Sequence, residues 1–114
     1  MISPFILWMA AITFRNAPPN AALSANPYAG QAQAVAAGRK LFRLHCAQCH
    51  GADGSGSRSA PPLRSRRIKE APDGALFWFL TDGDLKRGMP SWSRMPEERR
   101  WQLVTYLKSL VANQ

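Results

Sequence analysis

Residues 44–56 read LHCAQCHGADGSG, and this stretch holds every cysteine and every histidine of the 114-residue chain. His45, Cys46, Cys49 and His50 fall within six consecutive positions, so all the soft, redox-active and metal-binding side chains of these types serve one local arrangement. A thiol–disulfide redox site wants its CxxC opening a helix after a strand. Here the motif closes a helical pattern, and no strand pattern precedes it. A structural zinc site wants four ligands, usually as two separated pairs, and no second pair exists. A disulfide between Cys46 and Cys49 would close too small a loop to stabilise much.

The reading that uses the whole motif is covalent haem attachment, for which CxxCH is the signature. Two thiols about one helical turn apart can add to two vinyl groups of one haem. A histidine directly after the second cysteine then reaches the iron from one side of the porphyrin. Cys46 and Cys49 are the expected attachment points of a haem c, and His50 the expected iron ligand. His45 is poorly placed for the opposite face, only five residues away. Methionine is the remaining soft ligand, and its pairing with histidine raises the reduction potential. Met1 and Met9 lie in the N-terminal run, leaving Met89 and Met95. Met95 precedes the last helix, where it can pack as a staple against the first turn. Met89 stands between Gly88 and Pro90, a backbone suited to aiming a side chain at a fixed point, and is the expected ligand.

Working outward, Ala34, Gly38, Leu41, Phe42 and His45 form one stripe of an amphipathic helix that delivers the chain into the motif. Arg39, Lys40 and Arg43 occupy its other side. Gly51 to Leu63 reads as loop, its glycines as flexible spacing beneath the haem; they lack the order and the preceding strand of a phosphate loop. Arg64 to Lys69 (RSRRIK) reads as solvated basic surface, and without interleaved aromatics it argues against nucleic acid. Asp73 to Asp82 predicts a short buried helix, capped by Asp73 and closed by Gly83. Pro96 in a first turn, followed by Glu97 and Glu98, opens the last helix. Leu103, Tyr106, Leu107 and Leu110 form its apolar stripe. No strand alternation and no internal repeat occur, so the fold class is all-α.

A chain of this length builds one domain, and a core this small often needs a staple or a bound cofactor. The apolar run Ile2–Phe14 is shorter than the ~20 residues that span a bilayer. It matches the apolar segment of a signal peptide, with a cleavage site among the small residues Ala21–Ala25, although no basic segment precedes it. An uncleaved anchor, a mis-called start and a disordered leader are the alternatives. The expected division is residues 1–30 as signal peptide, anchor or disordered leader and 31–114 as the domain, located in the periplasm or on the outer face of the cytoplasmic membrane.

From Gln31 to Gln114 the chain resembles a bacterial class I monohaem cytochrome c, soluble or membrane-tethered. Gly38 and Phe42 stand eight and four residues before the first cysteine, as in that family. The resemblance implies three to four helices wrapped around one covalently bound haem c. It places Tyr106, with Leu103 and Leu110, at the crossing where Gly38 allows close approach. It also implies a proline whose carbonyl accepts the second N–H of His50, matched by Pro62-Leu63 with Pro61 as the neighbouring alternative. The phrase GMPSW resembles the axial-methionine loop, with Trp92 walling the pocket. The 39 residues from His50 to Met89 imply a compact member.

With His50 and Met89 on the iron, no coordination site is open and the protein is an electron carrier rather than an enzyme. Burial of the haem among Phe42, Leu63, Phe77, Trp78 and Trp92 favours a positive potential. The alternatives are an open sixth position serving a gas sensor or peroxidase, and an electron-input subunit of a larger dehydrogenase or oxidase. Residues 31–114 carry fourteen basic and seven acidic groups, a net +7. Such a field suits an acidic docking face on a dehydrogenase, oxidase or reductase, and a membrane tether through the N-terminus is compatible with it.

Overall fold

The computed structural model describes residues 20–58 and 60–112. Five α-helices run in the order α1 (Ala32–His45), α2 (Ala47–His50), α3 (Arg66–Glu70), α4 (Asp73–Asp82) and α5 (Glu97–Val111). Two 3₁₀ turns, Ala21–Leu23 and Leu85–Arg87, complete the regular structure among the described residues. The fold is all-α, as the periodicity predicts. The count exceeds the expected three to four helices because α2 is a four-residue continuation of α1, and α3 arises in the run read only as solvated basic surface.

The frame is the crossing of α1 over α5, the most extensive helix pair. Gly38 makes it: a Cβ at this position would collide with the Gln102 carbonyl oxygen and stand 2.7 Å from Tyr106 Cβ. The Phe42 and Tyr106 rings pack 5.3 Å apart one turn along. Phe42, Leu103 and Val104 are fully enclosed. Phe77 stacks on Trp101 at 4.1 Å and takes Trp78 edge-on at 5.6 Å, joining α4 to α5.

Helix ends differ from expectation by one residue. Pro72 takes the cap position of α4 and Asp73 the first turn; Pro96 caps α5, with Glu97 opening it. A proline N–H is dispensable at either place. Ser65 caps α3 through its hydroxyl, which accepts from the Ile68 N–H, and an exposed Arg66–Glu70 pair at 3.3 Å spans the helix. Serine as the cap was the available sequence signal for α3.

The apolar run Ile2–Phe14 lies outside the described residues. Asn20 to Gly30, grouped with it by composition, is seated on the helices. Ala21 is 1% exposed, and Asn26 donates to Asp73 and Thr105. Contacts with distant helices, absent from composition, hold Ala21, Ser24 and Asn26 there.

Candidate haem site

Helix α1 runs into the motif without a break in its hydrogen bonds. The Cys46 N–H donates to Phe42 O at 2.8 Å, and the backbone then turns at Cys46 before α2 presents Cys49 and His50. Past α2 the chain reverses. The Gly56 N–H donates to His50 O at 2.7 Å and the Leu63 N–H to Gly54 O at 2.7 Å. Gly56 has φ +94°, and a Cβ there would stand 2.8 Å from the Pro62 nitrogen. The expected flexible spacer is therefore a fixed, tightly bonded turn, since left-handed glycines let the backbone fold onto the two prolines.

That turn carries Pro61 to His50. The Pro61 carbonyl oxygen lies 3.0 Å from His50 Nδ1. A carbonyl only accepts, so the proton belongs on Nδ1 and the lone pair on Nε2, the tautomer needed for a metal-binding imidazole. The carbonyl is Pro61's and not that of the expected Pro62, because the reversal at Gly56 brings Pro62 against the loop backbone instead. Pro62 and Leu63 still line the cavity.

The cavity measures about 450 Å³, within the ~300–1,000 Å³ typical of cofactor sites. Cys46, Cys49, His50 and Met89 all line it, with Phe42, Leu63 and Trp92. Met95 does not; it packs half-buried against the core. Gly38 and Tyr106 are also absent from the lining, so their part is to set the helix crossing behind the cavity. Phe77 and Trp78, expected around the haem, are absent from the lining; Phe77 packs on Trp101 of α5 and Trp78 on Phe77. The wall is completed by Ile68 and Ala71 at α3, by Leu76, Phe79 and Leu80 of α4, and by Leu103 and Leu107 of α5.

Backbone pairing fixes Met89. Asp84 and Met89 exchange both hydrogen bonds, at 2.8 and 2.9 Å, around the turn Leu85–Gly88, whose last residue is left-handed at φ +91°. Behind it, Gly83 lies so close to Pro90 that a Cβ would meet its carbonyl at 2.5 Å. The Trp92 N–H donates to Leu80 O at 2.9 Å, and the Ser91 hydroxyl donates to Thr81 O at 2.6 Å. The loop is thus bonded to the end of α4 along its length.

Two buried polar atoms, Trp92 Nε1 and Asp84 Oδ1, have no hydrogen-bond partner among the described residues, and both side chains belong to the lining. The Trp92 Nε1–H is a free donor that a bound group with acceptor oxygens on its periphery would complete. The donor set, the histidine tautomer and the apolar wall fit a haem c held through Cys46 and Cys49. In the free-thiol state burial, aided by neighbouring Cys49, pushes the Cys46 thiol up to about 11. This is the reverse of the lowered value a disulfide-exchange thiol needs. No group of three or more metal-binding His, Cys, Asp or Glu side chains occurs among the described residues.

The family profile described as cytochrome c oxidase, cbb3-type, subunit III matches residues 33–107. The cbb3-type cytochrome c oxidase subunit CcoP of Rubrivivax gelatinosus is 49% identical over 45 residues. That match takes in 40% of this chain and 13% of the relative, so the chain spans about an eighth of the curated protein it resembles. Cytochrome cL of the marine methylotroph Methylophaga aminisulfidivorans has the same fold, with a TM-score of 0.63 at 24% identity over 73% of this chain and 57% of that one.

Proposed function

The chain belongs to the family of cbb3-type cytochrome c oxidase subunit III, c-type cytochromes that carry an electron on haem c, and we propose that His50 and Met89 are its axial iron ligands. The observation that carries this reading is the convergence of Cys46, Cys49, His50 and Met89 on one apolar cavity. The iron of the bound haem supplies the one-electron couple. The chain's own residues do the rest. Pro61 holds the His50 tautomer, and the Asp84–Met89 pairing holds the thioether loop. The apolar wall excludes water and disfavours the extra charge of the ferric state, which together with a thioether ligand makes the potential positive.

Electron exchange takes place where the cavity meets the surface beside acidic partners. At the end of α1, exposed His45 lines the cavity and its ring lies 5.1 Å from that of Trp92. Leu44 beside it is 76% exposed and Leu85 of the methionine loop 77%, and Arg43 and Lys86 are their exposed neighbours. Small apolar spots beside basic side chains suit an acidic docking face on a redox protein. Reduction by such a partner should slow as salt rises, and a salt-independent rate would count against it.

The match to the oxidase subunit favours a second, narrower placement, in which this cytochrome passes electrons into a membrane oxidase from the periplasmic side. No helix among the described residues is long and apolar enough to cross a membrane.

The test is an absorption spectrum of protein matured with haem-attachment machinery, ferric and then ferrous, with and without CO. A low-spin spectrum with the weak far-red methionine–iron band and no response to CO supports the carrier. A high-spin spectrum that shifts with CO overturns it in favour of an open iron.

A further inference from the structure

The segment that composition groups with the leader is joined to the wall of the cavity by a continuous chain of contacts. Its backbone lies on Gly74: a Cβ there would collide with the Ala21 carbonyl oxygen and stand 2.8 Å from that of Ser24. Farther on, the Asn26 amide donates to Asp73 Oδ2 and to Thr105 Oγ1, each at 2.9 Å. Thr105 is 3% exposed and donates onward to Trp101 O at 2.8 Å. Asp73 Oδ1 stands 3.9 Å from Lys108 Nζ. The Lys108 ammonium in turn donates to the carbonyls of Ile68, Lys69 and Ala71, and Ile68 and Ala71 line the cavity.

We propose that residues 21–31 are a strap retained in the mature protein, bracing the Ile68–Ala71 wall through Asn26, Asp73 and Lys108. A cut among Ala21–Ala25, where composition places it, would remove Ala21 from its buried seat. Any processing therefore falls before Ala21. The bracing role rests on the cytochrome reading of the cavity; retention of the strap does not.

The experiment uses the full chain exported with haem-attachment machinery. Intact mass of the purified product gives its first residue, expected at or before Ala21; any later start overturns the proposal. Gly74→Ala in the same full chain then tests the seat by sign. At a free helical glycine this change stabilises by restricting the unfolded chain. Against a seated strap it lowers the thermal midpoint by about 4 °C or more. Amide exchange at residues 68–71 then quickens on the order of tenfold. Asn26→Ala acts in the same direction on both readouts. A raised or unchanged midpoint for Gly74→Ala, with native exchange at 68–71, overturns the strap. Absence of a haem spectrum would instead sink the cytochrome reading, while mass and midpoint still judge the strap.

Discussion

The Pro61 carbonyl oxygen stands 3.0 Å from His50 Nδ1, and this contact decides which nitrogen of the only cavity histidine in α2 is left to bind metal. Pro61 is held there by a turn whose own bonds run from Gly56 N–H to His50 O and from Leu63 N–H to Gly54 O. Pro61→Ala keeps the carbonyl but frees the backbone, so stability should fall by about 0.4–1 kcal/mol. The His50 Nδ1 proton should exchange faster with solvent in the ferrous protein. Proton NMR of the His50 ring checks both the assignment and the loosening.

Met89 and Met95 separate cleanly by spectrum. Met89→Leu should abolish the far-red band, lower the potential and admit CO to the ferrous iron, because no other methionine among the described residues lines the cavity. Met95→Leu should leave spectrum and CO response unchanged and cost under about 1.5 kcal/mol as a volume-conserving swap. Loss of the far-red band in the second variant rather than the first would reverse the assignment.

Gly38→Ala tests the helix crossing. The added methyl meets the Gln102 carbonyl oxygen and Tyr106 Cβ, both on α5. The helices must separate, at a cost of about 1–3 kcal/mol. Guanidinium unfolding followed at the haem absorption should show the loss as a lower midpoint with an unchanged slope.

Lys108 should matter through α3. Lys108→Met leaves the Ile68, Lys69 and Ala71 carbonyls without their ammonium donor, a loss of about 1–3 kcal/mol. Burial holds Lys108 below the ordinary lysine value of 10.5, partly offset by Asp73. The unfolded chain thus binds this proton more tightly than the folded one. Stability due to this group rises with pH through the window between the depressed folded value and 10.5. The difference between wild type and Lys108→Met, measured from neutral to alkaline pH, should show that slope.

Removal of the haem tests the core. The apoprotein has an apolar cavity of about 450 Å³ at the meeting point of α1, α3, α4 and α5, and an empty space of that kind forfeits the contacts of every wall. Circular dichroism of a chain expressed without attachment machinery should show little fixed helix. Native-like helix content with a cooperative melt would contradict this.

The sequence by itself determined the chemistry and the frame. Cys46, Cys49 and His50 are legible because attachment imposes a fixed local spacing, and α1, α4 and α5 because a buried stripe repeats with the helical period. The part of Gly38 in the helix crossing followed from the family resemblance, and the place of Met89 in the cavity lining from a methionine braced by Gly88 and Pro90. What only the tertiary structure decided were contacts between segments far apart in the chain. The choice of Pro61 over Pro62 hangs on a backbone reversal at Gly56. Phe79 rather than Phe77 or Trp78 faces the cavity because α4 is apolar all round, so no period marks its inner side. Helix α3 is too short to show a period and is held by Lys108 from thirty-seven or more residues away. Asn20 to Gly30 resembles a leader in composition, yet its place is fixed by Gly74, Asp73 and Thr105, partners that local sequence does not reveal.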